Sequence, residues 1–474
     1  MDISNNKLKK LERIGVYLTK LLRHSPELIG LNMNENGWVS VEQLILNSNN
    51  CKKTNLDLDV LKQVVKYDSK ARFTILQDEN GVDWIRCEQG HSTKLVKDMS
   101  LQKETPPKFL YHGTTYESFL KIMSSDGILP MERLYVHLSS DHKTAIEVGR
   151  RHGSPHVLAI DTSIARSMGV EFYLSNNGVW LCKAIHPDCV TFSFNGDSDL
   201  VVALISDTHL EESLPMLSKR SMREFIPDCQ YLPDIPNCVD VLLLAGDICE
   251  LKKTELYIDA LKHLCSQVPH VVAVAGNHEY WGTNYQKAEG IREELSEMFD
   301  NLHYINNEVV EINGVKIFGS TMWNNFDHDN YVISEVGRNY TSIPHVPLDA
   351  RRIKWKSPRG YRKGKGEDIY KLNRTAIKSA TEFLGGLEPH DKAIILSHHP
   401  LTPDICPTIQ TGFDCAGLDY GLLKEKDGLV VAHGHMHGGY NYLLRTGQKA
   451  YCNPRGNFST PEKARSYQPL IFDV

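Results

Sequence analysis

Five short apolar runs constrain this chain most. Val201–Ser206, Val239–Ala245, Val271–Ala275, Ala393–Leu396 and Leu429–Ala432 are almost continuous in apolar residues, with no polar alternation. A strand wetted on one face alternates, whereas such a run suits a strand buried on both faces, with helices packed over a largely parallel sheet. Each run ends in polar residues. These are Asp207-Thr-His209, Gly246-Asp247, Gly276-Asn277-His278-Glu279, Ser397-His398-His399-Pro400 and His433-Gly434-His435-Met436-His437. Sites in α/β sheets form beyond the carboxyl ends of the strands. Five strand ends therefore deliver Asp, His and Asn side chains to one place.

The composition is that of an ordinary folded chain. Apolar residues make up 41% and charged residues 24% of the 474, which excludes a disordered or fibrous polypeptide. At roughly 100–200 residues per domain, two or three domains are expected. The formal net charge is −6 and the pI about 6.4, so no overall basic charge points to nucleic acid. The 11 cysteines, an odd number without a CxxC pair, predict free thiols in a reducing compartment. Met1–Lys10 is polar and unlike a leader, and the apolar runs are too short to span a bilayer. The expectation is a cytoplasmic protein without a membrane partner.

Ahead of the five runs, residues 7–23 place Leu8, Leu11, Ile14, Leu18, Leu21 and Leu22 at helical spacing. A second helix is predicted near Leu56–Tyr67. Phe73–Leu76 and Trp84–Cys87 then flank Glu79-Asn80-Gly81, a hairpin signal. Helix, helix and hairpin predict a winged-helix-like lobe over residues 1–97. Residues 98–107 read as a linker, residues 108–193 as a second lobe of short strands, and Phe194–Asp199 as the boundary before a domain at 199–474.

The donor set of the C-terminal domain is informative. Carboxylates and imidazoles without thiolates suit Mn, Fe, Zn or similar divalent ions. One carboxylate, best placed at Asp247, can bridge two ions about 3.5–4 Å apart; such a pair binds a phosphate and activates a water for in-line attack. Taken singly, an Asp-x-His or Asn-His at a strand end is usually a cap or a turn. Five such pieces in order resemble the calcineurin-like metallophosphoesterase superfamily. The resemblance implies a four-layer α/β/β/α sandwich with two metals. Asp207, His209, Asp247 and His437 would hold one. Asp247, Asn277, His398 and His435 would hold the other. His278 would meet the scissile phosphate and help the leaving group depart. Thr321-Met-Trp323 and Asn453-Pro-Arg-Gly456 resemble framework segments of the same superfamily. Glu250 departs from the pattern, standing where an Asp often follows the bridging Asp by three residues. The fourth motif offers both His398 and His399, of which His398 is preferred. Between the third and fourth motifs, Arg351, Arg352, Lys354, Lys356, Arg359, Arg362, Lys363 and Lys365 interleave with Trp355 and Tyr361. Such a stretch either grips a nucleotide or single strand by charge and stacking, or is a solvated loop.

The N-terminal part is notable for cations. Arg23-His24 ends the first expected helix, Arg72 opens the first hairpin strand, and Arg133 and Arg150-Arg151 follow; arginine forks bind phosphate bidentately without losing charge. Read singly, each is more often a surface residue. Longer motifs carry more. Leu21-Leu-Arg-His-Ser-Pro-Glu-Leu28, Gly37-Trp-Val39, Gln89-Gly-His-Ser92, Tyr111-His-Gly-Thr114 and Asn177-Gly-Val-Trp180 resemble the RNA 2'-phosphotransferase (KptA-type) family over residues 7–193. That resemblance implies an NAD-dependent reaction at an RNA splice junction. The RNA 2'-phosphate displaces nicotinamide from NAD. The ADP-ribose 2''-hydroxyl then attacks that phosphate, leaving 2'-hydroxyl RNA and ADP-ribose 1'',2''-cyclic phosphate. Arg23, His24, Arg72 and Arg133 are the implied catalytic set, with Arg151 the alternative for the last place. His112, Gly113, Thr114, His137 and Ser139 lie in segments resembling the NAD-binding core of ADP-ribosyltransferases. A histidine usual two residues before His137 is Tyr135 here.

The resulting expectation is a multidomain α+β and α/β enzyme with two activities. A winged-helix-like RNA-binding lobe and an ADP-ribosyltransferase-like lobe, using NAD as co-substrate, precede a dinuclear phosphoesterase. Its partners would be RNA with an internal 2'-phosphate, NAD, and a phosphoester that is either a small molecule or an RNA end. The second domain could consume the cyclic product of the first, process RNA ends, or serve an unrelated substrate. A non-RNA ADP-ribosyltransferase and a catalytically dead RNA-binding module are the competing readings of the N-terminal part.

Overall fold

The computed structural model describes residues 5–52, 55–99, 101–213, 232–325, 349, 352–405, 415–456 and 466–474. It divides into two compact units, Met1–Asp197 and Ser198–Val474. Among the described residues, no helix is long and apolar enough to cross a membrane. Cys51, Cys87, Cys182, Cys189, Cys249, Cys265 and Cys452 are free thiols.

The N-terminal unit opens with the helix Asn5–Arg23, which buries Leu11, Leu18, Leu21 and Leu22 on one side. It ends ahead of Pro26, whose ring disfavours helical backbone at Ser25 (φ −145°, ψ 60°). The helix expected near Leu56–Tyr67 runs over Leu58–Lys66, because the Asp57 carboxylate caps it by accepting from the Val60 N–H. A further helix, Val41–Lys52, has a weak apolar pattern. Its asparagines serve neighbouring backbone instead: Asn47 donates to the Ile29 carbonyl and Asn49 to that of Leu56. The strands Phe73–Gln77 and Asp83–Cys87 form the expected hairpin, and Val39–Ser40 joins as a third antiparallel strand. The Asp78 carboxylate accepts from the Asn80 and Val82 N–H groups, and Gly81 sits at φ +79°.

Two three-stranded antiparallel sheets follow. One orders Phe109–Thr114, His156–Asp161 and Val190–Asn195; the other orders Val136–Leu138, Trp180–Cys182 and Tyr173–Leu174. Paired backbone hydrogen bonds between Tyr111 and Ser139 tie the two together. The helix His142–Gly149, capped by Asp141, crosses the first strand so closely that a Cβ on Gly113 would lie 1.7 Å from the Ala145 carbonyl oxygen. Only glycine fits there.

In the C-terminal unit the five apolar runs are the strands Val201–Ile205, Val241–Ala245, His270–Val274, Ala393–Ser397 and Leu429–His433. They lie in two sheets. The first orders Leu302–Tyr304, His270–Val274, Val241–Ala245, Val201–Ile205 and Leu470–Asp473, with only the last strand antiparallel. The second orders Glu308–Ile312, Val315–Ser320, Ala393–Ser397, Leu429–His433, Lys449–Cys452 and Tyr440–Leu443, parallel in its centre. One core joins them, with Val202, Leu204, Leu243 and Val272 meeting Ile317, Ile394, Leu396 and Ala432. On the outer side of the second sheet, Ala376, Ala380 and Leu384 of the helix Gly366–Gly385 pack on Phe318, Ile395 and Val431. Burial on both sides explains the lack of alternation. It also puts the carboxyl ends of five strands at one edge of the core.

Candidate active sites

At that edge the backbone is strained. Asp207, His209, Asp247, His435 and His437 all take positive φ, between +40° and +69°. Left-handed backbone at a non-glycine residue costs about 1–3 kcal/mol and persists where surroundings impose it. Here they do. Glu279 is fully buried and accepts three backbone N–H groups, from Asp247, Ile248 and Gly276. One carboxylate thus ties the second strand end to the third. A Cβ on Gly276 would lie 2.2 Å from Asp247 Oδ1. The close approach of the two loops therefore needs that glycine.

The side chains converge. Asp207, His209 and His437 bring ligand atoms within 4.8 Å of one another, and so do Asp207, Asp247 and His398. His209 Nε2 is 3.1 Å from His437 Nε2, and His435 Nδ1 is 3.3 Å from His398 Nε2. His398 Nε2 also lies 2.9 Å from Asn277 Oδ1 and 3.5 Å from Asp247 Oδ2. Its other nitrogen is 2.8 Å from the Ala245 carbonyl, which fixes the ring. His399 is placed otherwise. Its Nδ1 faces the Thr321 carbonyl, and its ring packs between Trp323 and His435. Of the two adjacent histidines, His398 is the one that faces Asn277 and Asp247.

Electrostatics follow from enclosure. Burial first, then Glu279 and Asp207, push the Asp247 carboxyl well above its usual range. Burial acts the same way on Asp207, but His437, His398 and His209 outweigh it and hold that carboxyl low. Burial pushes His398 down to about 3, so its imidazole is neutral, the form that donates a lone pair. Lone pairs of one polarity crowding a buried point fit divalent cations and little else.

Two acidic residues stand behind His278, of which sequence reasoning missed Glu211. Glu211 is buried, and its Oε1 lies 3.5 Å from both His278 Nδ1 and His209 Nδ1. Glu250, at the position of the departure noted above, turns away to Lys252 at 2.7 Å, while its N–H donates to Glu211 Oε2. The His278 N–H donates to Asp247 Oδ1, and its ring stacks on Trp281 with centroids 3.5 Å apart. Arg351 lies outside the described residues.

In the N-terminal unit, the side chains of Arg23, His24, Arg133 and His137 gather. Arg23 Nε and Nη2 are buried with no hydrogen-bond partner among the described residues. A Cβ on Gly90 would stand 3.3 Å from that guanidinium. Arg133 Nη1 is 3.4 Å from His137 Nδ1, and His112 Nδ1 is 3.3 Å from the His137 carbonyl. His24 Nδ1 is 2.8 Å from Ser92 Oγ. Desolvation, then Arg23 and Arg151, lower the pKa of Arg133. Desolvation, then Arg133 and Arg23, push His137 down to about 3. Its Nε2 is buried and has no hydrogen-bond partner among the described residues. Fixed positive charge with orphaned donors is what a polyanion pocket requires.

Arg72, an expected member, and Tyr135, the departure from the family pattern, sit differently. Arg72 gives Nε and Nη2 to Asp68 in a bidentate pair, at 2.7–3.1 Å. The pairing commits its Nε edge to Asp68. Tyr135 is buried, and its hydroxyl donates to Asp98. Thr114 and Gly113 lie on the strand beside His112, and Ser139 faces Tyr111 across the sheet junction. Buried His91, which sequence reasoning quoted only inside a motif, is pushed down to about 3 by burial and then by Arg23.

Comparison with known proteins accords with this division. A family model described as RNA 2'-phosphotransferase, Tpt1 / KptA family, matches residues 9–184, and one described as calcineurin-like phosphoesterase matches 200–439. A probable RNA 2'-phosphotransferase of Pseudomonas syringae pv. tomato is 37% identical over 183 residues, 39% of this chain and 95% of that protein. One of Herpetosiphon aurantiacus is 41% identical over 181 residues, 38% of this chain and 94% of its own length. Among solved structures, the phosphopantetheinyl hydrolase of Mycobacterium tuberculosis is 17% identical with a TM-score of 0.38, covering 58% of this chain and 95% of that one. With orphaned cations in one unit, crowded imidazoles and carboxylates in the other, and both families matched along the sequence, the chain belongs to the RNA 2'-phosphotransferase, Tpt1 / KptA family through its N-terminal unit and to the calcineurin-like phosphoesterases through its C-terminal unit.

Proposed function

We propose that the chain is a bifunctional enzyme. The N-terminal unit transfers an RNA 2'-phosphate to the ADP-ribose part of NAD, and the C-terminal unit hydrolyses phosphoesters at a dinuclear centre. The observation that carries the first half is the cluster of Arg23, Arg133 and His137 with donors left open. In the first step a phosphate oxygen of the RNA bonds to the ribose carbon, and the bond to nicotinamide breaks. In the second, the ribose 2''-oxygen bonds to phosphorus, the bond to the RNA 2'-oxygen breaks, and the RNA oxygen ends protonated. Arg23 and Arg133 hold the phosphate and, being fixed, stabilise the charge that builds on it without reorganising. His24, oriented by Ser92, stands at the same cluster. His112, Gly113, Thr114, His137 and Ser139 form the wall proposed for NAD. Arg72 acts through Asp68 as a positioning residue, with Arg151 adding to the field.

The observation that carries the second half is the crowding of like-polarity donors around Asp247. Asp207, His209, Asp247 and His437 would hold one divalent ion, and Asp247, Asn277, His398 and His435 the other. Bound there, the ions supply Lewis acidity and a water of lowered pKa. The chain's own residues do the rest. Asp349 accepts from Asn277 Nδ2 and so turns its oxygen toward His398. Glu211 orients His209 and His278 together. His278 delivers a proton to the departing oxygen.

The test uses RNA with a labelled internal 2'-phosphate, NAD and Mn, and separately bis(p-nitrophenyl) phosphate and Mn. Nicotinamide release and 2'-hydroxyl RNA are expected from the first, and nitrophenolate from the second. Arg133→Ala should lower the first rate by roughly 100–1,000-fold and leave the second alone. NAD consumption that needs no 2'-phosphorylated RNA would sink the RNA reading.

A further inference from the structure

The stretch that starts at Asp349 is fastened beside His278. Asp349 Oδ1 accepts from Asn277 Nδ2 at 2.9 Å and from Trp281 Nε1 at 2.8 Å. The Gly282 N–H donates to the Arg352 carbonyl, and the Lys354 N–H to that of Thr283. These bonds set the Arg352 guanidinium 5.0 Å from the centre of the Trp281 ring, the ring on which His278 stacks. Arg352 is exposed and has no carboxylate partner among the described residues.

From there the chain forms a hairpin, Lys354–Ser357 with Gly360–Lys363. Its register separates two faces. On one, Trp355 stacks flat on Tyr285, with centroids 4.8 Å apart, and Arg362 bonds to Asp368. That face is anchored to the unit. On the other, Lys354 stands opposite Lys363, and Lys356 opposite Tyr361. The three lysines are exposed, and Tyr361 is 64% exposed. Like charges directly opposite each other destabilise a hairpin. None of these lysines has a carboxylate partner among the described residues. An anion laid along the face removes the repulsion.

We propose that this face, entered from Arg352, is a platform for single-stranded RNA whose reacting phosphate lies at the metal centre, so that RNA is the substrate class of the C-terminal unit. The proposal rests on the phosphoesterase reading above. Lys354 and Lys356 stand roughly 7 Å apart along the strand. A mononucleotide at the centre would leave Lys356, Lys363 and Tyr361 without a ligand. A chain reaches them, its phosphates on the lysines and a base on the tyrosine ring.

The experiment follows hydrolysis of bis(p-nitrophenyl) phosphate by the full chain with Mn, and its inhibition by an RNA of about twelve nucleotides carrying a 3'-phosphate. This assay reads occupancy of the metal centre, so RNA held by the N-terminal unit does not register. In K354E/K356E/K363E the inhibition constant should rise about tenfold or more, with a flatter salt dependence. The kinetics on the small ester should stay as in the wild type, which also reports an intact centre. Photo-crosslinking with 4-thiouridine RNA should label the peptide containing Tyr361. An unchanged inhibition constant overturns the platform while the phosphoesterase reading stands. ADP inhibiting as well as the RNA also overturns it, in favour of a small-nucleotide substrate. If the wild type leaves the small ester intact with Mn, the phosphoesterase reading falls and the platform with it.

Discussion

The two candidate sites solve the same problem, holding a phosphate, by opposite means. In the N-terminal unit the positive charge belongs to the protein. Arginines sit near one another, and burial, then Arg23 and Arg151, lower the pKa of Arg133. At the candidate metal centre of the C-terminal unit the side chains brought together are imidazoles and carboxylates, with Asp207, His209 and His437 facing one another. The first site carries its charge covalently and needs nothing added to attract an anion. The second repels an anion until cations arrive. One site should ignore a chelator, and the other should depend on its absence.

The largest contrast should come from that difference. Chelation, or Asp247→Asn, should abolish ester hydrolysis, by on the order of a thousandfold, and leave nicotinamide release at its original rate. Loss of both activities in the chelator would break the comparison. Next in size is Gly113→Ala. The new methyl group has no room beside the Ala145 carbonyl, so the N-terminal unit should lose about 3 kcal/mol and its NAD chemistry, with ester hydrolysis intact. Thermal unfolding read alongside both assays checks this. Glu211→Gln should slow hydrolysis by about 10–100-fold, more for alkyl than for nitrophenyl leaving groups if Glu211 serves His278 as a proton donor. Equal losses on both esters would leave it only a structural role.

The smallest effect concerns pH. His91 is held near 3 in the folded unit, from an ordinary value of 6.5. The unfolded chain therefore binds the extra proton first. Stability from this group is complete above 6.5 and is lost as pH falls toward 3, by about 2 kcal/mol at a pH of about 5. Denaturant unfolding of the N-terminal unit at the two pH values, in wild type and in His91→Asn, measures it.

Much of this was legible in the sequence where backbone and chemistry coincide. A strand buried on both faces writes a continuous apolar run, and a ligand at its end must follow within a few residues. The strand ends could therefore be named from order alone, the ligand set only through the family resemblance, and the choice between His398 and His399 was left open. Val41–Lys52 was hidden because its polar residues bond to neighbouring backbone. Glu211 reads as an ordinary residue after a motif, and its role depends on where Glu250 points. The pairing of Arg72 with Asp68 was not legible, because residues 67–72 form a turn and not the helix on which an i,i+4 spacing brings side chains together. The basic stretch around Trp355 left two readings open, and the hairpin register is what divides its cations into anchored and exposed.

The left-handed backbone at Asp207, His209, Asp247, His435 and His437 bears on how this protein would behave under laboratory evolution. Each of these positions would relax as glycine. A library sorted for heat resistance alone should therefore enrich glycine at all five and drift toward variants that fold better and hydrolyse nothing.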